Sequence, residues 1–195
     1  MSEPINTPQA PRDRSSRLGH GRGGGRGSVA AGVRAGIVLV PLFLAIGGLV
    51  ARASGSTQDN GWYQSLLLPP LQPPGPVFGI VWSLVYTMLG VVGALIWAQP
   101  AGAVRTRALL VFGLGMLANF CWSPLFFSLH QIWPSLLLIL VMLGLALWAT
   151  MLFARLSALA ARLMLPYIAW LMFATVLNAW IWRLNPGAGA TQLGV

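Results

Sequence analysis

Five long apolar runs dominate the chain, separated by short polar breaks: residues 33–53, 77–98, 107–129, 132–154 and 159–182. The first is interrupted only by Arg34, Pro41 and Arg52, the third carries no charge after Arg107, and the fifth has only Arg162 near its start. Each has the roughly 20 residues that an α-helix needs to cross a hydrocarbon core about 30 Å thick. A transmembrane barrel needs alternating segments of about ten residues instead, and these runs are apolar on both faces. Backbone groups in lipid must find partners within their own segment, so uninterrupted runs predict helices. The expected fold is an all-α membrane protein, a bundle of five transmembrane helices.

The segments outside the runs differ in kind. Residues 1–32 combine Pro4, Pro8 and Pro11 with a glycine series and the arginines Arg12, Arg14, Arg17, Arg22 and Arg26. Such a composition cannot bury apolar surface, so a disordered Arg/Gly-rich cytoplasmic tail is expected ahead of a membrane domain at 33–185. The tail has some of the Arg- and Ser-rich character of a transit peptide, but its long polar part is unlike a secretory signal. Residues 186–195 form a short C-terminal tail. The one long connection, Ser54 to Pro76, holds Pro69, Pro70, Pro73, Pro74 and Pro76 together with Trp62, Tyr63 and several leucines. The prolines restrict φ and lower the entropy cost of ordering, which predicts a shaped cover docked on the helix ends.

Composition narrows the function. Of 195 residues, 56% are hydrophobic and only 8% charged, and the sole carboxylate after Arg34 is Asp59, so paired-acid catalysis has no residues to use. The net charge of +9 comes entirely from arginine. Arg12, Arg14, Arg17, Arg22, Arg26, Arg34, Arg105, Arg107, Arg155 and Arg162 fall on one side of a five-span topology, against Arg52 and Arg183 on the other. This bias reads as membrane orientation rather than a nucleic-acid footprint, with the N-terminus cytoplasmic and the C-terminus outside, as in a bacterial inner membrane. Cys121 is the only cysteine, and His130 has no second His, Cys or acid at motif spacing, so no metal site is expected and His130 reads as an interfacial hydrogen-bonding residue.

Nine tryptophans remain to be explained. Trp97, Trp133, Trp180 and Trp182 lie near run ends and suit an aromatic belt at the headgroups, with Trp148 facing lipid or packing. Trp82, Trp122 and Trp170 lie further inside, each on a helical stripe: Trp82 with Tyr86, Leu89 and Gly93; Asn119 with Trp122, Ser123 and Phe126; Trp170 with Ala174, Leu177, Asn178 and Ile181. Asn119 and Asn178 must face protein or a cavity, because an unsatisfied amide in hydrocarbon costs several kcal/mol. Spacing alone leaves two readings open for them, an interhelical hydrogen bond or a polar group in an apolar ligand site. Pro124 and Pro166 are expected to kink their spans.

Three stretches resemble the TspO/MBR family, the tryptophan-rich sensory proteins related to the mitochondrial translocator protein. They are Trp62-Tyr63 with Pro69, Pro73-Pro74-Gly75 and Val77-Phe78-Gly79-Ile80-Val81-Trp82; then Asn119-Phe120-Cys121-Trp122-Ser123-Pro124-Leu125-Phe126-Phe127; then Pro166-Tyr167-Ile168-Ala169-Trp170 with Phe173-Ala174-Thr175-Val176-Leu177-Asn178. The resemblance covers about residues 35–185. It implies a receptor- or transport-type membrane protein, often a homodimer, whose pocket beneath the first loop binds porphyrins such as protoporphyrin IX. Motif by motif, it implies ligand-binding roles for Tyr63, Trp82, Asn119, Trp122, Trp170, Ala174 and Asn178. Sensing, carrying or scavenging of porphyrin is the function it favours. The alternatives are light-dependent porphyrin breakdown using Trp82 and Trp170, and transport, against which no span carries a midplane charge. Arg52 and Arg183 are the expected mouth cations for the porphyrin propionates. Two positions depart from the family pattern: Leu71 replaces the loop tryptophan, and Ala179 replaces the tyrosine that the animal relatives' sterol pattern places two residues after Leu177.

Overall fold

The computed structural model describes residues 23–56 and 59–188, and the expectations for residues 1–22 and 189–195 lie outside it. Its helices are α1 (Gly23–Ala53), α2 (Gly61–Ser65), α3 (Gly75–Trp97), α4 (Ala103–Ser123), α5 (Ile132–Ala154), α6 (Ala158–Leu163) and α7 (Leu165–Leu184), with a π-helical turn at Pro124–Ser128. Five stretches are long and apolar enough to cross a membrane: Val29–Ala53, Gly75–Trp97, Ala103–Ser128, Ile132–Ala154 and Ala158–Leu184. The protein is thus an all-α, multi-pass integral membrane protein with the five expected spans.

Several boundaries differ from the apolar runs, each for a local reason. The first helix begins at Gly23, ten residues before the expected start, so part of the stretch expected to be disordered is helical. Once nucleated, a helix extends at one hydrogen bond per residue, and Ala30 and Ala31 are strong helix formers. Helix α4 begins at Ala103 and takes Arg105 and Arg107 into its first turns. An apolar run ends where charge begins, but the hydrogen-bond ladder continues into the polar interface. The fifth span is two helices, broken at Met164 just before Pro166, whose ring nitrogen has no proton to donate. At Pro124 the third span widens into the π turn, where Leu129 N–H reaches back to Pro124 O at 3.0 Å.

Packing is tight at one end of the bundle and open at the other. A Cβ on Gly32 would meet Ala98 at 3.1 Å, and one on Gly90 would lie 2.7 Å from Val40 Cα, so glycine at these positions lets α1 and α3 nearly touch. Leu89, Val92, Ile96, Ile139, Met142, Phe153 and Leu171 fill the core. Further along the same helix pair, Gly48 and Gly79 face open space. The contact of Gly32 with Ala98 sets the start of α1 beside the end of α3, so Arg34, Arg105, Arg107, Arg155 and Arg162 gather at the tight end. Ile80, Leu84, Leu110, Leu117 and Met151 are exposed, apolar and suited to lipid.

Candidate functional site

The open end of the bundle holds a cavity of about 740 Å³, roofed by the α1–α3 connection. The roof is docked rather than draped. Asn60 caps α2, its side chain accepting from Tyr63 N–H at 2.9 Å and donating Nδ2–H to Gly55 O at 3.0 Å. Asn185, just past the end of α7, accepts from Leu67 N–H at 2.8 Å and donates back to Leu67 O at 2.9 Å. This reciprocal pair ties the irregular segment of the roof at Leu67 to the end of the fifth span. Leu66 is buried with Phe126, Ile132 and Ile181, and Trp62 meets the edge of Phe126 at 5.5 Å. Trp62 also stacks on His130, with centroids 4.2 Å apart and planes inclined at 21°, so His130 serves the roof through its ring face. Asn60 and Asn185 were not singled out from sequence, although an asparagine at a helix start and one before Pro186 are the available signals.

All seven residues proposed as ligand contacts line this one cavity: Tyr63 from the roof, Trp82 from α3, Asn119 and Trp122 from α4, and Trp170, Ala174 and Asn178 from α7. Trp82 and Trp170 are 6.3 Å apart and perpendicular, Trp82 stacks on Tyr86 at 5.3 Å, and Trp122 stacks on Phe126 at 5.1 Å. Trp97, Trp133, Trp148, Trp180 and Trp182 are all exposed, where belt or lipid-facing rings belong. Phe78 and Gln72, which motif reasoning gave no role, also line the cavity. Arg52 and Arg183 do not: both are exposed at helix ends, outside the lining. No arginine, aspartate, glutamate or histidine is present among the described lining residues.

The two asparagines have different partners. Asn119 is 4% exposed and uses both ends of its amide, accepting from Tyr86 O–H at 2.9 Å and donating to Tyr167 O at 3.1 Å. It therefore ties α3, α4 and α7 together at the cavity floor. Asn178 is 2% exposed and donates Nδ2–H to Ile132 O at 2.9 Å, while its Oδ1 is buried without a partner. Trp122 Nε1, Trp170 Nε1, Ser123 Oγ and Gln72 Oε1 are also buried and unpartnered, and all belong to lining residues. On the roof, Gln72 Nε2–H donates to Tyr63 O at 2.6 Å, and burial raises the Tyr63 phenol above its ordinary value, so the group stays neutral through the physiological range.

The profile of the TspO/MBR family matches residues 37–183. The chain belongs to the TspO/MBR family. It is 40% identical to the translocator protein of Homo sapiens over 129 residues, 65% of this chain and 76% of that protein. It is 35% identical to protein CrtK of Rhodobacter capsulatus over 144 residues, 70% and 87% of the two chains. It is also 32% identical to the tryptophan-rich protein TspO of Chlorobaculum tepidum over 152 residues, 75% and 93%. The matched region of the TspO/MBR profile runs from within α1 to the last turn of α7, so it includes every wall of the cavity.

Proposed function

We propose that this protein binds a tetrapyrrole of the porphyrin class in the roofed cavity, and senses, carries or scavenges it. The observation that carries the reading is the meeting of Trp82, Trp122 and Trp170, from three separate spans, on one cavity of about 740 Å³. That volume lies inside the ~300–1,000 Å³ range of small-molecule sites. A porphyrin is a broad flat aromatic disc, and ring contacts add about 0.5–1.5 kcal/mol each beyond area burial. Protoporphyrin IX is expected to quench the intrinsic tryptophan fluorescence of the purified protein saturably, with most of the effect lost in Trp170→Ala. Quenching that is absent, or undiminished in that variant, refutes the assignment.

Light-dependent breakdown of the bound porphyrin is a second reading, favoured by the perpendicular contact of Trp82 and Trp170 in the cavity wall. Illumination of the complex with dioxygen present as the oxidant would then give an oxidised, ring-opened product that disappears in Trp82→Phe and when oxygen is removed. A homodimer in a bacterial inner membrane, N-terminus inside, completes the proposal. The support for the orientation is the gathering of Arg34, Arg105, Arg107, Arg155 and Arg162 at one end of the bundle. A C-terminal reporter active only outside the cytoplasm tests it.

A further inference from the structure

Helices α1 and α3 hold each other closely over most of their length. A Cβ at Gly32, Gly36 or Gly90 would lie 3.1, 3.6 or 2.7 Å from Ala98, Ala94 or Val40, and Gly47 is pressed against the ring of Tyr86. One residue further towards the roof the contact stops. A Cβ at Gly48 on α1 or at Gly79 on α3 would meet nothing within 4 Å. Both glycines line the cavity together with Ser83, and all three are exposed. Their chain neighbours Leu49, Ile80 and Leu84 are 68%, 62% and 61% exposed, apolar side chains on the outer face of the same two spans. Gly47 adjoins Gly48, Tyr86 stacks on Trp82, and Gly79 and Ser83 lie within one turn of Trp82, so these residues border a single gap in the cavity wall. At 1.5 Å per residue, Gly48 is about 8 Å inside the roof end of α1 and Ser83 about 12 Å inside that of α3, a depth reached by lipid chains.

Resting on the tetrapyrrole reading, we infer that the gap bordered by Gly48, Gly79 and Ser83 is the ligand's entrance, and that the ligand comes from the lipid phase rather than from water. The route from above is closed by the docked roof, with Leu67 held by Asn185 and Gln72 by Tyr63. No charged residue stands among the described lining residues to steer an anion in from water. An apolar ring partitions into hydrocarbon, and a flat ring needs only a narrow slot if it enters edge-on. Two glycines keep that slot free of side chains. The ionised edge of an amphiphilic tetrapyrrole can stay at the headgroups while the ring slides sideways, as long charged side chains do at membrane surfaces. The entrance therefore selects tetrapyrroles that dissolve in the bilayer with their charge on one edge. The roof, in turn, serves to keep water out.

Exchange kinetics in nanodiscs test the entrance. Protoporphyrin IX association and dissociation are followed by stopped-flow tryptophan quenching in the wild type, Gly48→Phe and Gly79→Phe. A ring placed in a passage slows entry and exit together, whereas a ring that merely crowds the bound ligand speeds its exit. Both rates are expected to fall by at least about fivefold in each variant. The second arm uses the wild type and a phospholipid that carries a chlorin in place of one acyl chain. This probe cannot leave the bilayer to reach the roof, and it is expected to compete with protoporphyrin IX, read from the porphyrin's own emission with protein-free discs as blank. The inference is overturned if exit is faster or both rates are unchanged in the two variants, or if the tethered chlorin fails to compete while free protoporphyrin IX binds. Faster association in Asn185→Ala, whose roof is released, would move the entrance to the roof and overturn it as well. The tethered probe decides the matter if neither glycine variant folds. Failure of protoporphyrin IX itself to bind the wild type removes the tetrapyrrole reading and this inference with it.

Discussion

Replacing Asn119 by leucine tests whether the cavity floor is a structural joint. The side chain keeps its approximate volume, but Tyr86 O–H and Tyr167 O each lose a partner, at bonds of 2.9 and 3.1 Å. Interhelical hydrogen bonds in membranes average about 0.6 kcal/mol and reach about 1.7, so two of them sum to about 1–3 kcal/mol. The expected loss in equilibrium unfolding, followed by SDS titration in mixed micelles, falls in that interval. A triple variant, Asn119→Leu with Tyr86→Phe and Tyr167→Phe, removes all three polar groups and leaves no orphan in the interior. Because an orphaned buried group costs more than an absent one, the triple variant should be closer to wild type than the single one. A single variant within about 0.5 kcal/mol of wild type, or a triple variant worse than the single, refutes the joint.

Gly90→Ala puts a methyl 2.7 Å from Val40 Cα, so α1 must move; a loss of about 1–3 kcal/mol is expected in the same unfolding assay, with Gly48→Ala near neutral because it meets open space. Asn185→Ala frees both the N–H and the carbonyl of Leu67, so the roof should be cleaved faster by limited proteolysis between residues 59 and 74 while α1 and α7 stay protected; unchanged cleavage rules out the clamp. The double variant Arg52→Gln, Arg183→Gln is expected to leave protoporphyrin IX affinity within about twofold at moderate salt, since neither arginine lines the cavity and exposed charges are strongly screened. A larger, salt-dependent loss would return the propionates to these side chains.

Raising the pH past about 10 should loosen the roof. Burial raises the Tyr63 phenol, so its folded-state value exceeds its unfolded one. The stability it contributes is present in full below the unfolded value and is lost as pH rises toward the folded one. Faster proteolysis of the roof above that pH, suppressed in Tyr63→Phe, is the expected outcome.

The five spans and the inward placement of Trp82, Trp122 and Trp170 were legible in the chain itself. Crossing a bilayer depends on the length and apolarity of one segment, and a ring's depth follows from its distance to the ends of its own run. Both are properties of a single helix. What the tertiary structure decided was every question of partnership. Asn119 and Asn178 look alike in sequence, each an amide on an apolar stripe. One bonds to two tyrosines of other spans, and the other donates to the Ile132 carbonyl and leaves its Oδ1 buried without a partner. Arg52 and Arg183 were placed at the mouth by counting cations on one side of the membrane, and counting gives depth but not direction; both are exposed, Arg52 next to the lining residue Ala51 and Arg183 two residues past the lining residue Ile181. The docking of the roof on Asn185 joins residues 118 apart in the chain. Hydrogen-bond partners depend on how neighbouring helices are rotated and offset against one another, and no single run of residues encodes that relation.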